Sequence, residues 1–275
     1  MKIFLTGGSG FIGKSFVKEA VKKNNKIFAI SRQKQKKIPK VKWLHGDLND
    51  DWSYYLKKSD VFVHLASKGI QGEKKSKIIF KTNIHLSLKL LKNAIRSGCK
   101  NYLIISSSSE YGYNSTKLER LSKKSKRFPK SAYSLSKAKF TNEIKKLSKK
   151  TNCKFRVMRI FPVFGEGEAN KRLFPSLKKA ATSGKNLTIN NPSELRDFSN
   201  VKYVSRVLID ACFFKKKTKK FEIFHVASNK HLTVRKFAEN YWKKFKAKGK
   251  LIFKNEKKTY SRHLSDISSI WKIKK

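Results

Sequence analysis

The sequence predicts an α/β fold, a doubly wound parallel sheet with a smaller C-terminal lobe, and three observations carry that reading. Short apolar runs recur at 3–5, 26–30, 41–44, 61–65, 102–105 and 155–160. Stretches with apolar residues at helical spacing, such as 84–95 and 131–150, separate several of them. A glycine-rich turn joins the first strand to the first helix. Strands alternating with helices of this length imply a parallel sheet covered on both faces.

The first strand is Ile3-Phe4-Leu5, and Phe16, Val17, Ala20 and Val21 repeat at helical spacing after it. Between them lies Thr6-Gly7-Gly8-Ser9-Gly10-Phe11-Ile12-Gly13, in which residues 8–13 fit Gly-x-Gly-x-x-Gly. Gly7 permits a tight turn. Gly10 leaves no Cβ where a pyrophosphate must approach, and Gly13 lets the helix pack on the strand. The helix opened by Phe11 and Ile12 offers free N–H groups and a positive dipole end. This is the Rossmann-type arrangement for binding a dinucleotide.

The second strand, Lys26 to Ile30, ends at Ser31-Arg32. An Asp or Glu there would hold a ribose 2′-hydroxyl, whereas an Arg suits a 2′-phosphate, so the expected cofactor is NADP rather than NAD. Val41–Leu44 runs into His45-Gly46-Asp47-Leu48, and Val61–Leu65 into Ala66-Ser67. Tyr102–Ile105 runs into Ser106-Ser107-Ser108-Ser109-Glu110-Tyr111-Gly112. Ligands of such sheets bind beyond the carboxyl ends of the strands, where the serines fall.

A polar, lysine-rich loop over 114–130 leads to a helix opened by Ser131-Ala132-Tyr133-Ser134-Leu135-Ser136-Lys137. Tyr133 and Lys137 share one helix face. An ammonium beside a phenol is expected to lower the Tyr pKa from about 10, so that the Tyr can exchange a proton with a hydroxyl or carbonyl near neutral pH. A serine hydroxyl opposite polarises the same oxygen. Beyond a sixth strand at 155–160, helices are expected over 171–183, 201–213 and 234–245, and strands over 187–189 and 221–226. The expected division is a cofactor domain over 1–165, joined again by 196–228, and a substrate lobe made of 166–195 and 229–275.

The 275-residue chain is 39% hydrophobic, which excludes disorder. It shows no membrane-span or signal-peptide pattern, and a cytoplasmic location is expected. Cys99, Cys153 and Cys212 fit neither a disulfide framework nor a zinc site, so no metal is expected. The net charge of +49 raises a nucleic-acid partner as a possibility. The lysines are spread over nearly every loop and outer helix face rather than one stripe, so no specific nucleic-acid partner is expected.

These motifs resemble the extended short-chain dehydrogenase/reductase family, the NAD-dependent nucleotide-sugar epimerases, dehydratases and 4-ketoreductases. The resemblance runs over nearly the whole chain. It implies cofactor roles for Gly7, Gly10, Phe11, Ile12 and Gly13, an adenine-side role for Asp47 and Leu48, and places Leu65, Ala66 and Asn83 around the nicotinamide half. It implies Tyr133 as acid/base, Lys137 as its partner and nicotinamide-ribose ligand, and Ser107 or Ser108 as the catalytic serine, Ser107 first. Arg196, in Arg196-Asp197-Phe198, and Arg262 resemble arginines that meet the substrate diphosphate. The resemblance also implies a homodimer through helices near 84–95 and 134–150.

Three departures narrow the chemistry. Sugar dehydratases carry Asp-Glu directly after the catalytic Ser or Thr, whereas here Ser108 and Ser109 stand there and the nearest carboxylate, Glu110, is expected to be offset on the strand. Pro162 replaces the usual Asn before Val-Tyr-Gly. The sequence given stops where relatives add a closing helix. The expected reaction is hydride transfer at C4 of a nucleotide sugar, foremost reduction of a 4-keto sugar, with 4-epimerisation as the closest alternative. A non-catalytic dinucleotide sensor or scaffold and a polyanion-binding protein are the readings from other classes.

Overall fold

The computed structural model describes residues 1–69, 75–112, 120–254 and 262–273, with backbone alone at 262 and 263. Seven parallel strands form the main sheet: β1 Lys2–Thr6, β2 Lys26–Ser31, β3 Val41–His45, β4 Val61–His64, β5 Asn101–Ser107, β6 Lys154–Ile160 and β11 Phe221–Val226. Their order is β3-β2-β1-β4-β5-β6-β11. The chain therefore winds outward from β1 in both directions, and the carboxyl ends of the strands share one edge.

The strands read as unbroken apolar runs because both faces are covered. Ile3 and Leu5 point to one face, where they meet Phe16 and Val17 of α1 (Phe11–Lys22) and Val204 and Leu208 of the helix Val201–Asp210. Phe4 points to the other, among Phe62, Leu90, Tyr102, Phe140 and Phe155. The three cysteines are free and buried. A smaller core gathers Phe174, Leu177, Ile189, Phe198, Val234 and Phe237, with Phe198 stacked on Phe237 at 4.0 Å between ring centroids.

Several boundaries differ from the sequence expectation. The helix expected at 84–95 starts earlier, at Ser76–Phe80, passes through a π turn at Lys81–Leu86 and ends at Arg96. The helix expected to reach Phe213 stops at Asp210, because Arg156 Nη1 takes the carbonyls of Ala211 and Phe213. The strand expected over 187–189 is β8 Leu187–Asn190, and its partner is β13 Leu251–Lys254. Two further small sheets go beyond the sequence expectation: β7 Val163–Phe164 with β10 Ser199–Asn200, and β9 Leu195–Asp197 between β12 His231–Thr233 and β14 Arg262–His263, all segments of two or three residues.

Two buried histidines tie the elements together. The Ala66 N–H donates to Thr6 Oγ1, which lies 2.8 Å from His64 Nδ1, and His64 Nε2 lies 2.9 Å from Ser87 Oγ. Ser87 in turn donates to the Thr82 carbonyl, so the chain of donors requires a proton on Nε2. His225 is likewise held between Tyr111 and Ser265. Desolvation pushes both rings down to about 3, and Lys137 and Arg159 respectively add to the shift. An unfolded His titrates near about 6.5, so from there down to about 3 the unfolded chain binds protons that the folded chain refuses. Stability therefore falls as pH falls through that window. We expect the urea midpoint to drop between about pH 7 and about pH 4, and His64→Asn to flatten that slope; a pH-independent midpoint is the contrary result.

Candidate active site

The glycine turn at the end of β1 divides its labour. Gly7 has φ +72°, and a Cβ there would fall 2.6 Å from the Ala66 nitrogen; one on Gly13 would fall 2.0 Å from the Gly7 carbonyl oxygen. These two glycines exist for backbone packing. Gly10 is different: it is exposed, and a Cβ would meet only the Gly7 oxygen, at 3.3 Å. It is also the N-cap of α1, which no side chain caps. An uncapped helix start headed by Phe11 and Ile12, beside a position stripped of its side chain, fits the diphosphate of a dinucleotide.

The neighbouring strand ends lie on the same edge. Ser31 pairs with His45 in the β2–β3 register, which puts Arg32 beside Gly46-Asp47. Arg32 and Asp47 are exposed. Ser31 is buried, and its hydroxyl is engaged with Gln33 and Gln35. Asp47 Oδ1 accepts the Asn49 N–H at 2.7 Å, while Leu48 packs into the core. At the end of β4, Leu65 is half-buried and Ala66 is bound to Thr6.

Asn83 sits in the π turn and is fully engaged by protein. Its Oδ1 accepts from Lys68 N–H at 2.8 Å and from Ser67, and its Nδ2 donates to the Lys68 carbonyl at 3.0 Å and to Ser136 Oγ at 2.9 Å. The side chain pins the turn after β4 against the helix α5 (Ala132–Lys150). A local π turn is a common device for turning such a residue inward.

Ser107 ends β5 and caps a short 3₁₀ turn, Ser108–Tyr111, by accepting the Ser109 N–H at 3.1 Å. Its hydroxyl also pulls the Tyr133 phenol toward a lower pKa. Ser108 is buried. Tyr133 lies in the first turn of α5, whose start is fixed by a reciprocal capping box between Ser131 and Ser134. Lys137 follows one turn later, and its Nζ donates to the Ile105 carbonyl at 2.6 Å.

The electrostatics correct one expectation. Lys137 does not depress the phenol in this structure. The phenol end of Tyr133 is desolvated, which pushes it up to about 12; Ser107 and Arg172 pull against that shift and Glu110 adds to it. Lys137 is itself pushed down to about 8 by burial, with Glu110 opposing. At neutral pH the pair is therefore a protonated phenol and an ammonium held by a backbone carbonyl. Arg172 is a contributor that the sequence did not reveal, since it reads there as one more cation before a helix.

Glu110, expected to be offset on the strand, lies just beyond the strand end. It is fully buried in the 3₁₀ turn. Arg127 Nη1 and Arg159 Nη2 reach its Oε2 at 2.9 and 3.1 Å, and Thr141 and Ser106 donate to its Oε1. Every acceptor direction is committed to structure.

The two arginines expected at the substrate end share one small sheet. Arg196 is on β9, and the β9–β14 register pairs Arg262 with Leu195. The Arg196 guanidinium forms an ion pair with Glu194. The Arg262 side chain lies outside the described residues. Asp197 is buried and holds the turn after β11 through Ser228 N–H and Oγ, both at 2.8 Å, and Asn229 N–H at 2.9 Å.

A parallel sheet with a glycine phosphate turn at β1 and a Ser-Tyr-Lys set at β5 and α5 defines a dinucleotide-dependent enzyme of the short-chain dehydrogenase type. Comparison with known proteins agrees. The profile of the NAD dependent epimerase/dehydratase family matches residues 3–227, and the chain belongs to that family. It is similar to a UDP-glucose 4-epimerase of Lactobacillus helveticus, 27% identical, with 83% of this chain and 77% of that one covered. It is also similar to a UDP-glucose 4-epimerase of Vibrio cholerae, 28% identical, but the match covers 66% of this chain and only 57% of that relative. Among solved structures, MoeE5 in complex with UDP-glucuronic acid and NAD superimposes with a TM-score of 0.86 at 18% identity, covering 100% of this chain and 94% of that one. A UDP-N-acetylglucosamine 4-epimerase from Methanobrevibacter ruminantium M1, in complex with UDP-N-acetylmuramic acid, gives 0.85 at 23% identity, covering 97% and 89%. Among the described residues no helix is long and apolar enough to cross a membrane.

Proposed function

We propose that this protein catalyses hydride transfer at C4 of a nucleotide-linked sugar, with reduction of a 4-keto sugar as the first reading. The observation that carries it is Tyr133 in the first turn of α5 with Lys137 one helical turn behind, and Ser107 at the end of β5 pulling on the phenol. Tyr133, held protonated, donates its proton to the C4 oxygen while Ser107 orients that oxygen. Lys137 supplies a positive charge behind the phenol and reaches the nicotinamide ribose. NADPH, when bound, supplies the hydride. The turn from Gly7 to Gly13 holds its diphosphate, Arg32 its 2′-phosphate, and Asp47 and Leu48 border its adenine. Leu65, Ala66 and Asn83 shape the nicotinamide half. Arg196 and Arg262 face the substrate diphosphate. Residues 1–165 with 196–228 form the cofactor half, and 166–195 with 229–275 the substrate half.

Two observations favour reduction. The end of β2 carries Arg32 where an NAD enzyme would place a carboxylate. A phenol held at about 12 is set to donate a proton rather than to take one. The second reading, 4-epimerisation, is supported by the names of the two sequence relatives. A homodimer through the helices near 84–95 and 134–150 belongs to the same reading.

The test is to incubate purified protein with 4-keto-6-deoxy nucleotide sugars and with UDP-glucose, following NADPH and NADH absorbance and resolving the sugar products. Stoichiometric NADPH consumption supports the reductase. Epimer interconversion without net consumption establishes the epimerase instead. Neither, with dinucleotide binding intact, favours a non-catalytic sensor.

A further inference from the structure

The loop after β7 buries an acid that the reaction above leaves unused. Gly165 and Gly167 hold positive φ, +145° and +86°, and a Cβ on Gly167 would lie 3.9 Å from the ring of Phe11 at the start of α1. Glu168 follows, its side chain only 8% exposed. Its Oε1 pairs with Arg172 Nε at 3.3 Å, and its backbone N–H donates to the Gly165 carbonyl. Its Oε2 is buried with no hydrogen-bond partner. Arg172 is half exposed, and its charge is felt by the Tyr133 phenol. The Glu168–Arg172 pair is thus anchored beside the dinucleotide turn at one end and within electrostatic reach of the proton-transfer residue at the other.

A buried carboxylate oxygen without a donor is costly to maintain, and the natural remedy is a donor brought by a ligand. Sugar hydroxyls, ribose hydroxyls and a carboxamide all supply one. We propose that Glu168 is a ligand-contacting residue whose Oε2 accepts a hydrogen bond from an O–H or N–H of the bound nucleotide sugar or dinucleotide, with Arg172 holding the carboxylate in place. This rests on the functional reading above. It names a residue that no motif in the sequence singles out.

The test measures binding by calorimetry in the Tyr133→Phe background, where no turnover interferes. The probes are NADPH, NAD, UDP-glucose and UDP, and the variants are Glu168→Ala and the isosteric Glu168→Gln. We expect Glu168→Ala to weaken one ligand class about tenfold or more, as for loss of a charge-assisted hydrogen bond, and Glu168→Gln to recover part of it through its amide oxygen. A loss confined to UDP-glucose, with UDP and the dinucleotides unchanged, assigns the donor to the sugar. A loss confined to NADPH and NAD assigns it to the dinucleotide. Unchanged affinities in both variants, or equal losses for all four probes, overturn the proposal while leaving the functional reading intact. If the parent protein binds none of the probes, the functional reading falls and this inference falls with it.

Discussion

Tyr133→Phe is expected to lower kcat by about 10²–10⁴-fold with little change in dinucleotide affinity, the usual range for loss of a general acid. The substitution removes only the phenolic oxygen and keeps the rest of the side chain, whose Cβ lies beside Gly69. Nearby Lys137 is turned to the Ile105 carbonyl, and the Glu110 carboxyl is held by Arg127 and Thr141. A single-turnover measurement with saturating NADPH separates chemistry from binding, and a variant with full activity would overturn the assignment. In the parent enzyme, kcat/KM for reduction should hold below about pH 8 and fall above it, because the phenol stays protonated to about 12 while the Lys137 ammonium is lost through about 8. Lys137→Met should abolish that limb.

Glu110→Leu is expected to have the largest effect on stability, destabilising by about 3–5 kcal/mol, the range for breaking a buried ion pair by removing one partner. Arg159 is only 2% exposed and would keep its charge with Tyr111 and a backbone carbonyl as its remaining partners. Arg127, Thr141 and Ser106 would each lose a bond as well. The urea midpoint should fall at unchanged slope, and Glu110→Gln should fall less because its amide oxygen still accepts. Glu166→Ala is the control: that carboxylate is 75% exposed and among the described residues pairs only with Lys178, so its loss should shift stability by no more than about 0.5 kcal/mol. Equal midpoints for Glu110→Leu and Glu166→Ala would remove Glu110 from the framework.

The main sheet and its first turn were legible because their signals are local. A run such as Ile3-Phe4-Leu5 is continuous only if both faces of a strand are buried, and the glycines that follow are demanded by contacts within the same turn, as between Gly13 and Gly7. Tyr133 and Lys137 are one turn apart on one helix, so their shared face follows from helical geometry alone. The capping box at Ser131 and Ser134 is equally local.

What only the tertiary structure decided concerns groups whose meaning lies in partners far along the chain. Glu110 read only as the nearest carboxylate, offset on the strand; the fold closes Arg127, Thr141 and Arg159 around it. The tyrosine looked set for a lowered pKa from its lysine neighbour. Folding instead buried the phenol and turned the lysine to Ile105, and desolvation outweighed the local charge. Arg172 and Glu168 carried no pattern at all in a chain with 67 Lys and Arg. Periodicity and turn chemistry are written in neighbouring residues, so the sequence alone determined the sheet, the phosphate turn and the Tyr-Lys pair. Burial and charge pairing arise only when distant segments meet, so protonation states and the division of carboxylates between framework and site waited for the fold.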